Sequence, residues 1–281
     1  MSFDLTKLED GHRAYADLTQ DQVRSGFMSA LSLFQGTPAE VHAVWEKATA
    51  YVHDLCCHEV AVELGQRTAD LAGAAYGEGS REYTRALLHL AALEARFWRG
   101  EGVLNVAKTL LKPDDLELNA WLWIGEGNQA FREGDMDLAR TKIQQAVDVF
   151  EKQPTKELTS ALGTMASILV EQDATAQEIE VASLRHTLAV EQYWPAGSRQ
   201  HCIAQMYRAV DLNTLGRKTE AVALAHRTII GTKKYFGPEY ELVGTAYVHL
   251  GNITGEKEYH TLAKKILERY RSTNQETLKW L

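Results

Sequence analysis

A chain of 281 residues is long enough for one large domain or two small ones, and 45% hydrophobic with 24% charged residues places it among globular rather than disordered proteins. Thirty Lys and Arg against 38 Asp and Glu give a net charge of −8. No basic run exceeds a pair such as Lys233-Lys234 or Lys264-Lys265, which argues against the basic stripe that a nucleic-acid partner requires.

The opening residues, Met1 to Asp10, lack a basic segment leading into an apolar core, and no signal peptide is expected. No apolar run approaches the roughly 18 residues of a membrane span, so no membrane partner is expected either. Three cysteines, Cys56, Cys57 and Cys202, cannot frame a disulfide scaffold, and the expected compartment is the reducing cytoplasm. Only five prolines occur, at positions 38, 113, 154, 195 and 238. A β-rich chain of this length needs frequent Pro/Gly turns, so the prolines predict long helices.

In chain order, Asp4 to Ala16 and Asp21 to Phe34 read as helices, the second with Val23, Phe27, Leu31 and Phe34 on one face. Residues 1–37 are expected to form an N-terminal helical cap. Beyond them the prolines at 113, 154, 195 and 238 stand 41, 41 and 43 residues apart. Tyr76-Gly77 fills the gap between Pro38 and Pro113, because Tyr76 to Arg81 aligns with Trp194 to Arg199 at an offset of 118. Six units are therefore expected across 38–281, starting near 38, 77, 113, 154, 195 and 238. Each divides into two helices, as in Asn119 to Arg132 with Met136 to Lys152, Cys202 to Leu215 with Thr219 to Tyr235, and Val243 to Ile253 with Tyr259 to Tyr270. Gly134, Gly216 and Gly255 lie between the helices of these pairs.

Small residues recur twelve apart, one on each helix of a pair: Gly127 and Ala139, Ala209 and Ala221, Gly251 and Ala263. With Trp123, Ile143, Ala146 and Pro154, and with Tyr247, Leu250 and Leu267, this pattern resembles the tetratricopeptide (TPR) signature. The period near 41 is similar to the long-helix subtype of kinesin light chains and bacterial peptide-pheromone sensor proteins. The resemblance spans roughly residues 38–272. It implies an all-α, right-handed superhelical solenoid of about six antiparallel helix pairs, whose concave groove takes a peptide or protein segment.

Several clusters invite chemistry. His53, Cys56 and Cys57 fall at i, i+3 and i+4 on a helix, the spacing of soft metal ligands, but buried small cysteines beside histidines are the expected state. A metalloprotein or enzyme centred there is the alternative reading. Gly125 to Ala130 fits G-x-G-x-x-A, yet it sits inside a helix instead of between strand and helix, where that motif binds dinucleotides. No nucleophile–base pair stands out, and no catalysis, metal or cofactor is expected.

The expected ligand contacts lie on the first helix of each pair. They are Asn128 and Asn252, each one position after a packing glycine, with Arg132, Asn213 and Tyr207, and His89 with Arg96 in the second unit. An Asn amide can pair with a peptide N–H and C=O together, and arginine can hold a carboxylate. A peptide-responsive regulator is the sharpest form of this reading. Self-association through the last repeat, ending in Trp280-Leu281, is the remaining one.

Overall fold

The computed structural model describes residues 18, 20–55, 57–97 and 99–270. The expected helix at Asp4 to Ala16, together with Cys56, Trp98, Trp280 and Leu281, lies outside the described residues, as does the side chain of Arg96. Among the described residues there are 13 α-helices, short 3-10 turns and no strand.

The chain divides into two compact units, Met1–Gly125 and Glu126–Leu281. In the first lie α1 (Gln20–Leu33), α2 (Pro38–Asp54), α3 (His58–Tyr76), α4 (Arg81–Glu94), α5 (Glu101–Leu110) and the start of α6 (Leu116–Glu133). The second holds the end of α6, then α7 (Met136–Lys152), α8 (Leu158–Glu171), α9 (Ala176–Tyr193), α10 (Arg199–Thr214), α11 (Lys218–Phe236), α12 (Glu241–Thr254) and α13 (Lys257–Leu267). From α2 onward the helices fall as six pairs. The fold is an all-α, TPR-like array of helix pairs.

Local chemistry starts and stops these helices. Thr37 and Glu40 form a reciprocal capping box at α2, the Thr37 N–H donating to Glu40 Oε2 at 2.8 Å, with Pro38 in the first turn. Thr175 and Glu178 repeat the device at α9. The aligned segments 118 residues apart share a cap: Ser80 accepts from the Tyr83 N–H and Ser198 from the His201 N–H, at 3.1 and 3.2 Å. Pro113, Pro154, Pro195 and Pro238 stand three or four residues ahead of their helices rather than in the first turn, where they punctuate the connection between pairs. Within pairs the chain reverses at Gly134, Gly216 and Gly255, with φ between +75° and +84°. Asp173 does the same at φ +50° in the fourth pair.

In the first unit α1 lays Val23, Phe27 and Leu31, at i, i+4 and i+8, against Trp45, Tyr51 and Val52 of α2 and Val60 and Leu64 of α3. A second cluster joins α3, α4, α5 and the start of α6 through Leu87, Leu90, Leu104, Leu118 and Leu122. Each such side chain contributes about 1.5–3 kcal/mol by leaving water. In the second unit each helix from α7 to α13 packs on the next, and the first helices α8, α10 and α12 also meet one another in sequence. The small-residue crossing holds at Gly127, where an added Cβ would come within 2.8 Å of Ile143 and 3.3 Å of the Ala139 carbonyl. In the sixth pair an added Cβ at Gly251 would meet the His260 ring first, and one at Gly244 would meet Leu267.

Candidate functional site

The expected ligand contacts sit on the first helices, and the structure gives each a distinct environment. In the first unit, His89 on α4 lies edge-on to Trp121 of α6, ring centroids 5.2 Å apart, and its Nδ1 is 3.9 Å from Glu46 of α2. Arg85, one turn earlier, pairs with the same Glu46 carboxylate at 3.3 Å. Arg81 reaches both Asp115 and Glu117, and these two bonds raise its pKa further. One face across α2, α4 and α6 is thus laced by charged groups around a half-buried tryptophan. Arg96 stands in the 3-10 turn after α4.

In the second unit, Asn128 accepts from the Thr164 hydroxyl of α8 at 3.0 Å, leaving its NH₂ to donate elsewhere. Arg132, one turn on, is half-buried; burial lowers its pKa while Glu133 opposes that shift. Tyr207 on α10 is 43% exposed and lies edge-on to His249 of α12 at 6.4 Å. Burial lowers the His249 pKa and holds the ring neutral. Asn252 is exposed three positions after His249. Asn128 and Tyr207 thus each meet a neighbouring first helix. Asn213 does not join them: at 100° per residue it lies about 120° round α10 from Tyr207, and exposed Thr214 takes the in-line position.

Sequence reading did not supply the partners of these residues. Glu46, Trp121, Thr164 and His249 complete the contacts, each on a different helix from the residue it serves. It also missed the seam between α9 and α10. There Arg208, 8% exposed, forks onto Glu180 at 2.7 and 3.0 Å, and Arg217 adds a third bond to the same carboxylate at 3.0 Å. These bonds hold the Glu180 pKa below the usual carboxylate range. Beside them Ser183 donates to Asp211, whose pKa burial nevertheless raises.

At the His53/Cys56/Cys57 cluster, the His53 ring packs edge-on to His58 at 5.2 Å, and buried Cys57 donates to the Leu55 carbonyl at 3.8 Å. Among the described residues no group of three His, Cys, Asp or Glu is placed to hold a metal ion. Gly125 and Gly127 both lie within α6, packed on Leu104 and Ile143 respectively, so the G-x-G-x-x-A run is helix packing. No helix among the described residues is long and apolar enough to cross a membrane.

No family model and no curated protein matches the chain. Among solved structures it is similar to two of Podosopora anserina putative kinesin light chain nearly identical TPR-like repeats, one of them a point variant. Both are 13% identical; one covers 88% of this chain and all of its own at a TM-score of 0.36, the other 86% and 99% at 0.35. The helix pairs themselves, rather than these likenesses, define the fold.

Proposed function

We propose that the chain is a non-catalytic scaffold that holds a peptide or protein segment along its first helices. The observation that carries this reading is the layer α8–α10–α12 with the exposed Tyr207, Thr214 and Asn252 on it. An extended peptide needs hydrogen-bonding partners for its backbone and flat apolar surface for its side chains. The Asn128 NH₂, the Asn252 amide and the Tyr207 ring supply both. Arg132, one turn past Asn128 on the same helix, adds a cation for an acidic side chain, and the first unit has its own aromatic pair in His89 and Trp121. A peptide that bridges neighbouring first helices favours the arrangement that it binds best, which is how such a scaffold becomes a peptide-responsive regulator. The long 41-residue repeat agrees with that role, and a chain with only three cysteines agrees with a reducing cytoplasm.

The test is a random-peptide display selection on the wild-type chain, followed by binding to a triple variant, Asn128→Ala, Tyr207→Ala and Asn252→Ala. The selected peptide is expected to lose at least about tenfold in affinity, as truncation of a few central contacts does, with helicity preserved and only the small drop in melting temperature that loss of the Thr164 and His249 contacts brings. Equal affinity would place the peptide elsewhere.

A second reading, self-association, has its own observation. Val181, Leu184 and Leu188 on α9 are 49%, 42% and 62% exposed, and at i, i+3 and i+7 they form one apolar stripe. A second copy would cover it. Light scattering is expected to show a dimer that Leu188→Glu dissociates; a monomer at all concentrations would remove this reading.

A further inference from the structure

Between α10 and α11 of the fifth pair lies a cavity of about 370 Å³, in the size range of small-molecule sites. Two glycines shape it. At Gly231 on α11 an added Cβ would meet nothing within 4 Å, so the missing side chain keeps the space open. At Gly197, with φ +84°, an added Cβ would overlap the Tyr235 ring, so only glycine lets that ring close over the end of the cavity. Apolar surface comes from Leu224 and Tyr235. Cys202 below them is buried, its thiol donating to the Gly197 carbonyl at 3.8 Å, and burial pushes its pKa up, so it presents a neutral wall.

The polar lining comes from Arg227, His201, Gln205 and Thr228, the last with its hydroxyl already donating to the Leu224 carbonyl. Arg227 stands one turn before Gly231, exposed, with no ion-pair partner among the described residues. His201 and Gln205 line the α10 side one turn apart. The Gly197 N–H donates to His201 Nδ1 at 3.3 Å, which places the ring proton on Nε2 and makes that nitrogen a donor. No carboxylate lines the cavity, although the chain as a whole carries −8. A guanidinium, an imidazole N–H and an amide beside an apolar wall form a receptor for an anionic head on a compact apolar body. Gln205 lies about 160° round α10 from Tyr207, so this site is independent of the first-helix face.

We propose that this cavity binds an organic monocarboxylate, its carboxylate on Arg227 and His201 and its hydrocarbon part against Tyr235 and Leu224. Two sources carry that chemistry: a free small acid, or the C-terminal residue of a peptide.

Isothermal titration calorimetry on the full chain tests the proposal with four probes: isovalerate, phenylacetate, N-acetyl-glycyl-leucine, and the C-terminal amide of that dipeptide. Saturable binding of at least one acid, with the amide inert, is the expected result. Strongest binding by a simple acid assigns a free metabolite, and strongest binding by the dipeptide acid assigns a peptide terminus. Arg227→Gln removes the cation at an exposed position and is expected to weaken binding at least about tenfold, the usual effect of losing a charged hydrogen bond. Gly231→Leu fills the cavity from a position with free space around it and is expected to abolish binding without lowering the melting temperature. No saturable binding by any acid overturns the proposal, as does affinity unchanged in Arg227→Gln.

Discussion

The seam between α2 and α3 and the seam between α9 and α10 solve the same packing problem with different chemistry. In the first unit Ala48, Tyr51 and Val52 meet Val60, Ala61 and Leu64, and the polar contact is a pair of buried threonine hydroxyls, Thr49 and Thr68, 3.1 Å apart. In the second unit Arg208, Glu180, Arg217, Ser183 and Asp211 bond across the seam, and His186 of α9 packs on Gly163 of α8. Apolar contact is strong and indifferent to direction. A forked Arg–carboxylate pair adds little net stability but fails badly when one partner is lost. The first seam therefore governs how stable its unit is, whereas the second governs how its unit responds to pH and substitution.

The largest effect is expected where the apolar seam is cut. Phe27→Ala removes a side chain with no exposed surface and is expected to cost about 3–5 kcal/mol. Urea unfolding measures it, and a loss under about 1 kcal/mol would mean that α1 does not belong to the core.

Acid provides the next test. Burial lowers the His186 pKa from 6.5 to about 4. A histidine depressed in the folded state is charged first in the unfolded chain, so its contribution is complete above pH 6.5 and is lost as pH falls toward 4. The expected loss is about 3 kcal/mol. Glu180, with its depressed pKa, adds a loss below the usual carboxylate range, while Asp211, with its raised pKa, opposes it, since its protonated form is the one burial favours. Unfolding titrations of wild type and His186→Leu should differ in slope across that window. Parallel curves would show that the imidazole is not buried neutral. His42, buried edge-on to Tyr76 in the first unit, has its pKa lowered mainly by burial and acts in the same direction there.

Smaller changes separate buried from exposed charge. Arg208→Met leaves Glu180 on Arg217 alone and is expected to cost about 2–3 kcal/mol, whereas Arg24→Met, at an exposed pair with Glu63 in the first unit, is expected to stay within about 0.5 kcal/mol. Chemical denaturation of both variants compares them; equal costs would mean that the α9–α10 network is an ordinary surface pair. Last, Gly231→Ala is expected to stabilise by about 0.5–1 kcal/mol, because alanine is the better helix former and meets no neighbour there. Destabilisation on heating would show that the space beside it is occupied.

The helix pairs were legible because their signals are local. Apolar spacing gives Met136–Lys152 its ends, and Tyr76-Gly77 does mark the close of α3, with Gly77 at φ +91°. The aligned stretches ending in Arg81 and Arg199 share a serine cap because both must start a first helix after a turn. Four of the five prolines lie in connections ahead of a helix, and Pro38 alone stands in a first turn. Partners were not legible: Ser183 and Asp211 are 28 residues apart, His89 and Trp121 lie on different helices, and pairing across that distance leaves no period in the chain. Asn213 and Tyr207 face directions about 120° apart on α10, a separation that a list of polar residues on first helices does not display. A cavity made by the absence of a side chain at Gly231 leaves no motif.

Hydrogen exchange on the wild-type chain, with and without a display-selected peptide, tests the scaffold reading most directly. Protection is predicted along α8, α10 and α12, around Tyr207 and Asn252, with the outer stripe of α9 unchanged. Protection confined to α9 and α11, or none at saturating peptide, would contradict it.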